Sequence, residues 1–94
     1  MRNYEVVFIV HPELEESAFK EVVERVSGWI SEGGGSVSKL DIWGKKDLAY
    51  PIRKRTEGQY VLLDTQMEPA FCITLERNMR LTESIMRFLV TIRK

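Results

Sequence analysis

An α+β sandwich with its elements in the order β-α-β-β-α-β is the fold class predicted by these 94 residues. Three observations predict it. Four stretches place apolar side chains at the two-residue period of a strand. Two others place them three and four residues apart, the spacing of one face of an amphipathic helix. The length suits one domain, residues 1–94, with a single two-layer core.

The first strand runs from Tyr4 to Val10, with Tyr4, Val6, Phe8 and Val10 on one face and Glu5, Val7 and Ile9 on the other. Apolar residues on both faces mark a central strand, and His11-Pro12 ends it. Residues 15–32 follow as a helix whose stripe is Phe19, Val22, Val23, Val26, Trp29 and Ile30. Glu15 and Glu16 suit its positive N-terminal end. Gly28 inside it costs about 1 kcal/mol relative to Ala, with no reason in the pattern beyond close packing, and one residue of Gly33-Gly34-Gly35 is expected to take the left-handed conformation that stops a helix. Ser36 to about Trp43 predicts a second strand, with a bulge where Val37 and Trp43 break the alternation. That strand is expected to continue irregularly to Ile52. Thr56-Glu57-Gly58 predicts a turn, and Gln59–Met67 a third strand with Val61, Leu63, Thr65 and Met67 opposite Tyr60, Leu62, Asp64 and Gln66. Pro69 opens a second helix over 70–80, with Phe71, Cys72, Leu75 and Met79 inward and Arg77 and Arg80 in its last turn. Ile85 to Ile92 alternates as the fourth strand.

Two split β-α-β units with right-handed crossovers make this a ferredoxin-like sandwich: a four-stranded antiparallel sheet with both helices on one face. The helices then cover Val6, Phe8, Leu63, Phe88 and Val90. The other face carries Val7, Ile9, Tyr60, Leu62, Arg87, Leu89 and Arg93, and no predicted element remains to cover it. An open face of this composition suits a partner.

Fourteen cations balance fourteen acids, so net charge points to no partner; its distribution does. Residues 13–32 hold six Glu against Lys20 and Arg25, whereas 43–55 hold five cations against Asp47. The lone Cys72 allows no internal disulfide and no CxxC pair, which fits a cytoplasmic location. No apolar run approaches the length of a membrane span, so no membrane partner is expected.

The basic segment Gly44–Tyr60 interleaves Lys45, Lys46, Arg53, Lys54 and Arg55 with Leu48-Ala49-Tyr50-Pro51-Ile52. Its cations suit phosphates and its Pro suits a sheet edge, bulge or turn. The same composition also serves simply to guard an edge against aggregation. Tyr50 or Tyr60 is placed to stack on an unpaired base.

Support for catalysis is small. His11 stands at a loop end, Cys72 on the apolar side of a helix, and the triple Gly follows a helix, where a phosphate loop would precede one. An acylphosphatase-like enzyme on this fold wants an Arg after strand one, where the chain has His11-Pro12-Glu13, and a metal chaperone wants CxxC. No cofactor, metal or small-molecule substrate is expected. A stand-alone protein-interaction module stays open as the second reading, and the small enzyme as a third.

Three segments carry a resemblance. They are Met1-Arg2-Asn3-Tyr4-Glu5 followed by Pro12, Leu48-Ala49-Tyr50-Pro51-Ile52 with Lys54, and Arg80-Leu81-Thr82-Glu83-Ser84-Ile85-Met86-Arg87. Together they resemble the bacterial small-subunit ribosomal protein six family over residues 1–94. The resemblance implies a non-enzymatic, structural role in the cytoplasmic ribosome. It further implies binding to the central domain of small-subunit (16S) rRNA together with small-subunit ribosomal protein eighteen. Carried over by position, Arg2, Lys54 and Arg87 become RNA contacts. Local charge adds Lys45, Lys46, Arg53, Arg55 and Arg93, and the open face assigns Val7, Tyr60, Leu62 and Leu89 to a protein partner.

Overall fold

The structure is a computed structural model that describes residues 1–52 and 55–93, with side-chain description ending at Lys45 and resuming at Glu57. Its elements are β1 (Arg2–Val10), α1 (Glu16–Glu32), β2 (Ser36–Ile52), β3 (Arg55–Met67), α2 (Phe71–Arg80) and β4 (Ile85–Ile92). The strands form one antiparallel sheet in the order β2-β3-β1-β4. This is the ferredoxin-like arrangement expected from the element order.

Alternation decides which side chains seal the core. On β1, Val6, Phe8 and Val10 have no accessible surface, and Val61, Leu63 and Met67 of β3 join them. Cross-strand pairs Phe8–Phe88 and Val6–Val90 carry the layer onto β4. Phe19, Val22, Val23, Val26 and Ile30 of α1 close it from above, and Leu75 and Met79 of α2 complete it. Thr65 is the buried polar member; its hydroxyl donates to the Tyr4 carbonyl at 3.1 Å, which removes the cost of burying it. Arg80, in the last turn of α2 as expected, lies 5.8 Å from the centre of the Phe88 ring.

Three glycines between α1 and β2 share the reversal. Gly34 has φ +85°, the left-handed conformation expected of one of them. Its N–H donates to Ser31 O and that of Gly35 to Ile30 O, the paired bonds of a Schellman stop. Gly35 also lies so close to the Gln66 carbonyl that a side chain would collide with it. Gly28 lacks even that reason. A Cβ there would meet no atom within 4 Å, so packing does not require the glycine.

The central hairpin is longer than expected. Lys46 pairs with Gly58 and Asp47 with Glu57, so residues 56–58 belong to β3 and the ladder continues to Ile52–Arg55. The predicted turn at Thr56–Gly58 is therefore corrected to strand, because the backbone bonds available opposite Lys46 and Asp47 outweigh the turn character of glycine. Residues 53 and 54 lie outside the described residues. β2 shifts register at Trp43, where a bulge is expected, and again at Ser38, next to Val37, and across the segment with Pro51. β2 is an edge strand, where proline is tolerated.

Candidate nucleic-acid and partner interface

On the face of the sheet away from the helices, the register arranges side chains in cross-strand rows. Lys39, Asp64, Glu5 and Thr91 form one row; Asp41, Leu62, Val7 and Leu89 the next; Gly44, Tyr60, Ile9 and Arg87 the third. The composition changes along the strands from charged, through aliphatic, to aromatic and cationic. The middle row holds three of the four residues assigned to a protein partner, and Tyr60 stands beside it. Leu89 is 60% exposed and Val7, Tyr60 and Leu62 are half-buried, with no helix over them among the described residues. Ile9 belongs to this face by register but is buried, walled in by its row neighbours Tyr60 and Arg87. Val7, Ile9, Arg87, Phe88 and Leu89 line a shallow depression of about 230 Å³.

The expected RNA contacts do not gather in one place. Arg87 pairs across from Ile9 near the hairpin, and Lys45 stands exposed at the start of the basic segment. Arg2 and Arg93 lie at the other end of the sheet, where β1 begins and β4 ends. Seven residues of strand separate Arg2 from Ile9, roughly 23 Å. Arg2 also has the parity of the helix-covered face, since Tyr4 and Val6 point that way. Arg93 already has an acid: its guanidinium lies 2.5 Å from Asp64, and its N–H donates to the Asn3 carbonyl at 2.8 Å. The hydrogen bond and charge of Asp64 push the Arg93 pKa above that of an ordinary guanidinium. Arg53 and Lys54 lie outside the described residues, as do the side chains of Lys46, Tyr50 and Arg55.

Trp43 is a residue that pattern reasoning left without a role. Alternation from Asp41 turns it to the open face and the bulge sets it beside Tyr60, on whose ring it stacks with centroids 6.2 Å apart and planes 17° from parallel. Gly44 follows at φ +77°, a conformation that suits glycine and turns the strand into the basic segment. The strand signal at Trp43 was legible; its ring partner, seventeen positions along, was not.

His11 and Cys72 are occupied structurally. The His11 N–H donates to Ser84 O, and its Nε2 lies 3.2 Å from Glu83 O. Gln59 Nε2 donates to the His11 carbonyl at 2.8 Å. These bonds tie the end of β1 to β3 and to the residues before β4. Cys72 is half-buried beneath the Tyr4 hydroxyl, and burial pushes its thiol pKa up, whereas a nucleophilic thiol has a lowered one.

Residues 3–92 match the family described as ribosomal protein S6. Among curated relatives, the small ribosomal subunit protein bS6 of Moorella thermoacetica is 45% identical over 97% of this chain and 93% of its own length. That of Clostridium novyi is 46% identical over 96% and 95%. The crystal structure of 30S ribosomal protein S6 from Thermotoga maritima superposes with a TM-score of 0.93 at 32% identity, covering 98% of this chain and 87% of that one.

Proposed function

This chain belongs to the ribosomal protein S6 family, and from that premise we propose that it binds the central domain of 16S rRNA together with ribosomal protein S18. Membership makes it a structural, non-enzymatic component of the small ribosomal subunit, carried in the cytoplasmic ribosome. The finer assignment rests on one observation: four strands present an uncovered aliphatic patch beside a cationic, aromatic end of the same face. Val7, Tyr60, Leu62 and Leu89 take the protein partner, because burying aliphatic surface needs no charge and returns about 25 cal/mol per Å². Lys45, Lys46, Arg53, Lys54, Arg55 and Arg87 neutralise phosphates near the hairpin. Arg2 and Arg93 do so at the far end, where Arg93 shares its charge with Asp64.

Titrating the chain plus S18 against a central-domain RNA fragment at several salt concentrations tests this. Neutralising Lys54 and Arg87 together is expected to weaken binding and to lower the salt slope by about 0.9 for each lost duplex phosphate contact. Unchanged affinity and slope in that variant, or salt-independent binding by the parent chain, would overturn it.

A further inference from the structure

The stacked pair Trp43–Tyr60 lies outside the core, and Trp43 lies outside the residues assigned to the protein partner. Trp43 is 45% exposed although it is a large aromatic, and the ring behind it holds it in one plane. Its surroundings distinguish it from the patch. On the same face, the row through Tyr60 and Ile9 ends in Arg87, two strand spacings or ~10 Å from Tyr60, whereas Lys45 pairs with Gln59 and lies on the helix side with Leu14 and Phe19. The aliphatic residues Leu62, Val7 and Leu89 occupy the adjoining row. A flat, partly exposed ring that shares its face with the cation Arg87 complements a nucleotide: a π-face for the base and positive charge for a phosphate further along the sheet.

We propose that the solvent-facing side of Trp43 is a stacking platform for one unpaired nucleotide of the bound RNA, with Tyr60 as its backing. This rests on the RNA-binding reading above and sharpens it. Phosphate contacts give the chain salt-dependent affinity for any RNA, whereas a stacked base requires a single-stranded position beside the hairpin. The platform therefore selects RNA with a bulged or looped nucleotide at that place over a continuous duplex. The exposed position of Trp43 makes its replacement tolerable to the fold.

The test uses the full chain with S18 and the central-domain fragment, comparing Trp43→Leu and Trp43→Phe with the parent. Trp43→Leu is expected to weaken RNA binding roughly 5- to 150-fold, the range for loss of one stacked base, with the salt slope unchanged. Trp43→Phe is expected to recover most of that loss, and S18 binding without RNA to stay the same in both. Undiminished RNA affinity in Trp43→Leu, while the parent binds normally, overturns the platform and leaves the assembly reading standing. An equal loss in S18 binding without RNA also overturns it, by making Trp43 a protein contact. Failure of the parent chain with S18 to bind the fragment overturns both readings together.

Discussion

Val7 and Phe8 are consecutive residues of β1, and their surroundings share almost nothing. Phe8 is sealed between Phe88, Val61 and the helices, with no accessible surface. Val7 lies between Leu62 and Leu89 on a face that no described helix crosses. A strand turns alternate side chains to opposite sides, so one run of apolar residues supplies both a core and a surface. The apolar character of a residue therefore does not say which task it has. Only the placement of the helices does, and both α1 and α2 lie on the Phe8 side.

The contrast can be broken experimentally in order of size. Phe8→Ala is expected to lose about 3–5 kcal/mol, the usual range for a large buried aromatic, and denaturant unfolding measures it. A loss below 1 kcal/mol would mean that the covered face is not what holds the fold. A smaller effect of opposite sign tests the outer side of the covering helix. Gly28→Ala has open space for its methyl group and is expected to stabilise by ~1 kcal/mol through helix propensity. Thermal melting reads it as a raised midpoint. The smallest effect belongs to the open face. Leu89→Ala is expected to change the stability of the isolated chain by less than about 0.5 kcal/mol, while weakening capture of the protein partner in a pull-down. Large destabilisation of the isolated chain would place Leu89 in the core economy after all.

The parts legible in the sequence were those governed by short periods. The faces of β1 and β3 and the α1 stripe follow from spacings of two, three and four residues, and a glycine stop after α1 follows from its three consecutive glycines; the structure has them, with Gly34 as the stop. The end of the hairpin was not legible, because Thr56-Glu57-Gly58 has turn composition and its strand pairing depends on Lys46 and Asp47 opposite. The open face was legible as a set of residues, since the helices had to choose one side. Its internal order was not. Arg93 finds Asp64 twenty-nine positions away, and Trp43 reaches Tyr60 through a bulge whose presence, but not its direction, the broken alternation announced. The spread of Arg2 and Arg87 to opposite ends follows from antiparallel order, which local charge counting ignores.

The Arg93–Asn3 backbone bond and the Tyr4–Ile92 pairing bring the beginning of β1 and the end of β4 side by side. Both stand at the end of the sheet remote from the hairpin. A fluorophore, affinity handle or surface tether attached at the start of β1 or the end of β4 would thus project away from the Lys45 side of the molecule. A short linker joining the two ends would similarly permit new termini to be cut elsewhere without disturbing the sheet's central pair of strands.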